Sequence, residues 1–95
     1  MSLEFEWDPR KAAANRRNHG VTFQEAATVF GDRLASIFTD EDHSIREPRE
    51  MIIGRSDRKR LLLVSFTERA GKIRIISARR ATKRERRDYE ENPIP

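Results

Sequence analysis

The sequence predicts a single α+β domain in which helices near both ends of the chain flank an antiparallel sheet of three to four strands. Three observations carry this prediction. Helix signals fill residues 9–30, three apolar segments separated by short turns follow within 49–78, and a charged segment with a helix-start signal closes the chain. Because 95 residues suffice for only one domain, we assign residues 1–95 to one unit.

The first predicted elements are a short strand and a helix. Apolar and acidic residues alternate over residues 3–8, which is the period of a half-buried strand. Asp8 is a favoured N-cap residue, and Pro9 is favoured at the first helical position. Gly20 then predicts the end of this helix after His19.

A second helix is predicted directly after the first. Thr22 and Glu25 have the spacing of a capping box. One face of the helix is apolar, with residues at positions i, i+3, i+4 and i+7: Phe23, Ala26, Ala27 and Phe30. We expect the two helices to form a hairpin, joined at Gly20 and Val21, that covers one face of the sheet.

The second half of the chain predicts the sheet. A brief strand over 34–38 and a polar loop over 39–48, which contains His43, precede strands at 49–55, 61–67 and 72–78. The turns at 56–60 and 69–71 are short enough to require antiparallel hairpins. Thr82 and Glu85 form a second capping-box pattern, which begins a C-terminal helix with Tyr89 as its large apolar anchor.

The composition limits the possible function classes. Cysteine is absent, which removes disulfides and zinc–thiolate sites, and the two histidines are too few for a dedicated transition-metal site. We therefore expect no cofactor and no metal. The apolar runs are too short to span a membrane, and no apolar N-terminal segment resembles a signal peptide, so we expect a cytoplasmic protein.

The charge is distributed unevenly. Residues 1–45 hold five Lys/Arg and eight Asp/Glu, whereas residues 46–95 hold fifteen Lys/Arg and eight Asp/Glu, and only four of the twenty basic residues are lysine. The guanidinium group matches phosphate in a bidentate way, so this half favours RNA or DNA as a partner. Two other interpretations remain open: a non-catalytic nucleic-acid- or partner-binding module, and an adaptor whose basic C-terminal helix docks on an acidic protein.

Several residues in this half are candidates for chemistry. Glu68 and Arg69 stand beside the last hairpin turn, where a carboxylate next to arginines suits a general base beside a phosphate clamp. Strict alternation along the last strand predicts that Arg74 and Arg79 point to opposite faces, unless Arg79 lies beyond the end of the strand. His19, at a helix C-terminus, suits a general acid or a phosphate-contacting cation, although a capping histidine has the same position.

Several separate motifs resemble the BrnT toxins in order and spacing. They are Phe5-Glu6-Trp7-Asp8-Pro9-Arg10-Lys11, Asn15-Arg16-Arg17-Asn18-His19-Gly20-Val21-Thr22-Phe23, Glu47-Pro48-Arg49, Thr67-Glu68-Arg69 and Ile73-Arg74-Ile75-Ile76-Ser77-Ala78-Arg79. This resemblance covers residues 5–90. It implies a RelE-like fold and a metal-independent ribonuclease that cleaves cellular RNA by attack of the 2′-hydroxyl. It also implies neutralisation by a BrnA-like ribbon-helix-helix antitoxin, through whose complex operator DNA is bound.

The resemblance also implies which residues form the site. As catalytic residues it indicates His19, Glu68, Arg69 and Arg79. We expect Glu68 to act as base and His19 as acid, or the reverse, and Arg69 and Arg79 to hold the charge of the phosphorane. Arg49 and Arg74 are expected to contact RNA, and the basic cluster that continues the chain adds Arg80 and Arg84. One position departs from the family, because Asn18 stands where a lysine is usual; Arg17 then has to compensate, or activity is weaker.

Overall fold

The computed structural model describes residues 3–39 and 48–91. The loop with His43 lies outside these ranges. In chain order the elements are β1 (Phe5–Glu6), α1 (Pro9–His19), α2 (Phe23–Thr28) with a 3₁₀ turn (Val29–Gly31), β2 (Ser36–Thr39), β3 (Glu50–Arg55), β4 (Leu61–Arg69), β5 (Lys72–Arg80) and α3 (Lys83–Glu91). The α+β prediction is confirmed, including the C-terminal helix.

Within the described residues, the sheet has five strands in the order β1-β5-β4-β3-β2. Strands β2 to β5 are antiparallel neighbours, as predicted, but β1 is a fifth strand that pairs in parallel with β5. Parallel pairing needs a long connection, and here the rest of the domain supplies it. The prediction of three to four antiparallel strands therefore missed one strand of the sheet, the parallel strand β1.

The two N-terminal helices lie on one face of the sheet, which we call the helix face. The Asp8 carboxylate caps α1 by accepting from Arg10 N at 2.8 Å, and Gly20 ends the helix at φ 68°. At α2 only half of the predicted capping box forms, since Thr22 accepts from Glu25 N but the Glu25 carboxylate binds Arg60 instead. Both helices contact β5 more than they contact each other, so the hairpin packing is not confirmed.

The main core lies between these helices and the sheet. Phe30 packs edge-on against Phe5 and Phe66, with ring centroids 5.3 and 4.9 Å apart. The buried residues here come from both layers: Val21, Phe23, Ala26, Val29, Ile52, Leu62, Val64, Phe66, Ile73, Ile75 and Ala78. This core fixes which side chains of β4 and β5 are left for the opposite face.

Helix α3 covers part of that opposite face. Tyr89 packs beside a smaller buried cluster of Ile53, Leu61 and Leu63. The predicted capping box at its start forms in full, because Thr82 Oγ1 accepts from Glu85 N at 3.1 Å and Glu85 Oε1 accepts from Thr82 N at 2.9 Å. At the other end the Tyr89 hydroxyl donates to Asp32 Oδ2 at 2.7 Å, which ties α3 to the segment before β2.

Candidate functional site

A β-bulge in β5 decides where the arginines of that strand point. Phe66 of β4 faces Ile75 of β5 in the register of the two strands. The residue before it, Ser65, faces Ser77 and not Ile76, so Ile76 is an extra residue without a partner on β4. From Ser77 onward, side chains of β5 therefore point to the face opposite the one that simple alternation assigns to them.

The bulge places Arg74 and Arg79 on the same face of the sheet. Arg74 pairs with Thr67, and Arg79 pairs with Leu63. Thr67 and Leu63 are four residues apart on β4 and share one face, the one that α3 partly covers, and the two arginine backbones are roughly 13 Å apart. The prediction that Arg74 and Arg79 diverge was wrong, because alternation along one strand does not reveal a bulge.

Two more candidate arginines lie on this face. Arg69 is two residues beyond Thr67 and has the same orientation by alternation along β4. Glu50 of β3 pairs with Phe66 of β4, and extending this register by one residue places the half-buried Arg49 beside Thr67. The Thr67 hydroxyl donates to the carbonyl of Pro48 at 2.6 Å. We call the four residues Arg49, Arg69, Arg74 and Arg79 the arginine surface.

Carboxylates from neighbouring elements bind two of the three arginines of β5, Arg74 and Arg79. Arg74 Nη1 donates to Glu6 Oε2 at 3.1 Å. Arg79 forms a bidentate pair with Glu85, with Nη1–Oε1 and Nη2–Oε2 distances of 2.8 and 2.9 Å. The hydrogen bonds from Arg79 lower the pKa of Glu85 to about 2, and Glu85 in turn raises the pKa of Arg79.

His19 lies at the opposite end of the sheet from the last hairpin. The carbonyl of the next residue, Gly20, accepts a hydrogen bond from Arg60 Nη2 at 3.1 Å, and Arg60 immediately precedes β4. Glu68 is eight residues beyond Arg60, near the far end of the same strand, a distance of roughly 23 Å from Leu61. The structure therefore does not bring His19 and Glu68 together on one phosphodiester.

Glu68 is also separated from the arginine surface by the sheet itself. It pairs with Ile73, whose side chain belongs to the main core, so Glu68 points to the helix face. There it lines a groove of about 320 Å³ with Leu3, Phe30 and Glu50 among others. Glu68 and Arg69 are thus neighbours in sequence whose side chains leave the strand on opposite faces.

The remaining predicted RNA contacts, Arg80 and Arg84, lie outside the arginine surface. Arg80 is the last residue of β5 and pairs with Leu62, so it points to the helix face at the end of the sheet where α1 ends. Helix α3 begins only at Lys83, so Arg80 and Arg84 do not share a helix. Arg84 is exposed on α3.

Several residues that shape this face were not predicted. Glu6 holds Arg74, Glu85 holds Arg79, and Asp32 anchors α3. Burial opposes ionisation of Asp32, but hydrogen bonds from Tyr89 and the Arg55 N–H outweigh it and lower the Asp32 pKa. Burial and the Asp32 hydrogen bond raise the pKa of Tyr89 to about 12. The complete capping-box motif at Glu85 was visible in the sequence, but the second role of its carboxylate was not.

A groove of about 290 Å³ adjoins the arginine surface. It lies between α3 and the sheet, and is lined by Phe38, Ile53, Leu63 and Tyr89 with the polar Ser36, Glu85 and Asp88. Within residues 3–39 and 48–91, no cluster of His, Asp and Glu has the arrangement of a metal site. No helix in the same ranges is long and apolar enough to cross a membrane.

Comparison with known proteins assigns the family. The family model described as "Ribonuclease toxin, BrnT, of type II toxin-antitoxin system" matches residues 7–85. The chain belongs to the BrnT family. The match spans α1 to the start of α3 and so contains all eight predicted site residues, of which Arg84 is the last.

A solved BrnT structure has the same fold. The crystal structure of the Brucella abortus ribonuclease toxin BrnT superposes with a TM-score of 0.66 and 22% sequence identity, covering 86% of this chain and 100% of that one. No match was found among curated protein sequences. At this identity the likeness supports the fold, and the roles of individual residues have to be argued from the geometry above.

Proposed function

We propose that this BrnT-family protein is a cytoplasmic, metal-independent endoribonuclease that binds and cleaves cellular RNA on its arginine surface. The observation that carries this proposal is the bulge in β5, which brings Arg74 and Arg79 to one face of the sheet with Arg49 and Arg69. Four guanidinium groups on one face suit the closely spaced phosphates of a single RNA strand.

The proposed reaction is an internal attack. The 2′-oxygen bonds to the adjacent phosphorus, the bond to the 5′-oxygen breaks, and the proton lost by the 2′-hydroxyl is balanced by one gained at the leaving oxygen. Arg69 and Arg79, together with Arg74 on the same face, stabilise the extra negative charge of the phosphorane. Loss of one such donor typically costs about 10²–10³ in rate.

The two predicted proton carriers, Glu68 and His19, lie away from the arginine surface. Glu68 shares an end of the sheet with Arg69 but points to the helix face, and His19 lies at the other end near Arg60. Since neither shares the arginine surface, we propose that charge stabilisation supplies most of the acceleration. His19, at the C-terminal end of α1, suits the phosphate-contacting cation that was the other prediction for it.

Cleavage of an RNA oligonucleotide in EDTA tests the proposal. We expect wild-type protein to cut RNA but not its 2′-O-methyl analogue, and Arg74→Ala and Arg79→Ala to lose about 100-fold in kcat/KM. Glu68→Ala and His19→Ala should lose less than either arginine variant. The matched control is Arg10→Ala, because Arg10 is an exposed arginine of α1 on the helix side.

Each part of the proposal has an outcome that contradicts it. Dependence on added magnesium would refute metal independence, and cleavage of the 2′-O-methyl analogue would refute attack by the 2′-hydroxyl. Undiminished cleavage by both arginine variants would remove the arginine surface as the site. Salt-sensitive binding of RNA without any cleavage would favour the non-catalytic nucleic-acid-binding module instead.

We also propose a BrnA-like ribbon-helix-helix antitoxin as the partner. Membership of a family of type II toxins supports this proposal, since such toxins act with a cognate antitoxin. The toxin alone is expected to leave operator DNA unbound, and the toxin–antitoxin complex is expected to bind it. Co-purification of the two proteins, followed by a DNA footprint with and without the antitoxin, tests both statements; operator binding by the toxin alone would contradict the second.

A further inference from the structure

The guanidinium group of Arg79 is held on two of its three edges. Nη1 and Nη2 donate to the two carboxylate oxygens of Glu85, and the second Nη1 proton goes to the carbonyl of Arg80 at 3.2 Å. Nε–H and the second Nη2–H form the third edge. No residue of the described ranges accepts a hydrogen bond from this edge. Arg79 Nε is not buried, so solvent reaches it.

The Glu85 carboxylate that holds Arg79 is itself well fixed. Besides Arg79, it accepts from the backbone N–H of Thr82 as part of the capping box of α3. The far end of α3 is anchored by Tyr89 on Asp32, and Arg55 Nη2 lies 3.4 Å from Glu90 Oε2. Glu85 is thus held by the backbone of the capping box, by Arg79 of β5 and by the anchoring of α3, and 28% of its side chain is exposed.

We propose that Glu85 is a positioning residue for Arg79, and that it turns the free Nε–Nη2 edge of the guanidinium toward an RNA phosphodiester. This inference rests on the proposed ribonuclease function and extends it to α3. A guanidinium has two forks, each able to bind an anion in a bidentate way. Glu85 occupies one fork and restricts rotation about the long side chain of Arg79, so the other fork is available in a defined direction.

Removing the charge of Glu85 distinguishes two possible roles of this residue: it either positions Arg79 or competes with the phosphate for Arg79. As an anion near the phosphate, Glu85 weakens the attraction of RNA to this surface, and its neutralisation by itself favours binding. A substitution that removes the charge and yet slows cleavage therefore acts through lost orientation of Arg79. If Glu85 instead competed with the phosphate for Arg79, the same substitution would speed cleavage.

Steady-state cleavage of an RNA oligonucleotide by Glu85→Gln tests this inference. Glutamine keeps one acceptor oxygen but loses the bidentate pair, and we expect kcat to fall about tenfold while KM stays the same or decreases. In the Arg79→Ala background, Glu85→Gln should have no further effect on kcat, because the residue acts through Arg79. The control is Tyr89→Phe, which loosens α3 at its other end and leaves the Arg79–Glu85 pair in place.

The outcomes are distinguishable. An unchanged or increased kcat of Glu85→Gln overturns the inference, and so does an equal loss in the presence and absence of Arg79. A loss of the same size in Tyr89→Phe would mean that docking of α3, rather than the pair, determines the rate, and would also overturn it. If the wild-type protein cleaves no RNA, the proposed function fails and the inference falls with it.

Discussion

At the scale of single residues, buried polar side chains join the layers of this domain. Asn15 is the clearest case, because its side chain binds both backbone groups of Ala78: Oδ1 accepts from Ala78 N at 3.0 Å and Nδ2 donates to Ala78 O at 2.8 Å. Nδ2 also donates to the carbonyl of Val21 at 2.9 Å. These bonds satisfy β5 just beyond its bulge, where β1 no longer pairs with it.

We predict that Asn15→Ala lowers the free energy of unfolding by about 2–4 kcal/mol, because it leaves buried backbone groups without partners. Urea unfolding followed by circular dichroism measures the change. Asn18→Ala is the matched control, since Asn18 is an exposed asparagine on the same helix, and it should change stability by less than about 1 kcal/mol. Equal losses in the two variants would contradict the role of the Ala78 bonds, because alanine favours the helix more than asparagine does at either position.

The buried Glu25 has a similar joining role. Its carboxylate accepts from Ser56 Oγ at 2.7 Å and from Arg60 Nε at 2.9 Å, which connects α2 to the turn between β3 and β4. The hydrogen bond from Arg60 lowers the pKa of Glu25 despite its burial. Arg60 also donates to Gly20, so one ion pair fixes the ends of both N-terminal helices over the sheet.

At the scale of elements, close packing requires a glycine in β3. A Cβ atom on Gly54 would lie 2.9 Å from the Ala35 side chain, 3.0 Å from Val29 Cγ1 and 3.1 Å from Asp32 Oδ2. The missing side chain lets the 3₁₀ turn and the segment after it approach the strand. Asp32 can then accept from Arg55 N at 2.7 Å, beyond the point where β2 stops pairing with β3.

We predict that Gly54→Ala destabilises the protein by about 1–3 kcal/mol through overpacking. Thermal unfolding of the variant beside Gly31→Ala checks this prediction. Gly31 has nothing within 4 Å of the site of a Cβ, so its substitution should be nearly neutral. If Gly54→Ala were neutral too, the contact between the turn and β3 would be looser than the structure shows.

At the scale of the whole molecule, carboxylates join different elements of the fold. Glu25 links α2 to the β3–β4 turn, Asp32 links the segment before β2 to α3, and Glu85 links α3 to β5. All three have pKa values lowered by the hydrogen bonds they accept, and that of Glu85 falls from 4.5 to about 2. Ionisation of these groups is therefore coupled to the folded state.

We predict that stability falls as the solution becomes acidic. The folded protein binds fewer protons than the unfolded chain wherever the folded pKa is the lower one, so the stabilisation is complete at neutral pH and is lost from about pH 4.5 toward about pH 2. Urea unfolding at about pH 7 and about pH 3 measures the loss. Glu85→Gln should reduce the acid sensitivity; a stability independent of pH over this range would contradict the prediction.

The sequence predicted elements more reliably than contacts. Asp8, Pro9 and Gly20 act within one helix, and the helix they predict has the predicted bounds. Thr82 and Glu85 likewise predicted the start of α3. The parallel pairing of β1 and the bulge at Ile76 were not predicted, since the first depends on β5 far away in the chain and the second on the register between β4 and β5.

By itself, the sequence determined the α+β class, the helix caps, the antiparallel hairpins and the resemblance to BrnT toxins, because these depend on local spacing and on short motifs. Only the tertiary structure decided which candidate residues share a face. A single extra residue in β5 puts Arg74 and Arg79 on one face of the sheet, and the length of β4 separates Glu68 from His19. The physical reason is that a side chain's direction in a sheet depends on its register with the neighbouring strand, and that register is set by the packing of the whole core.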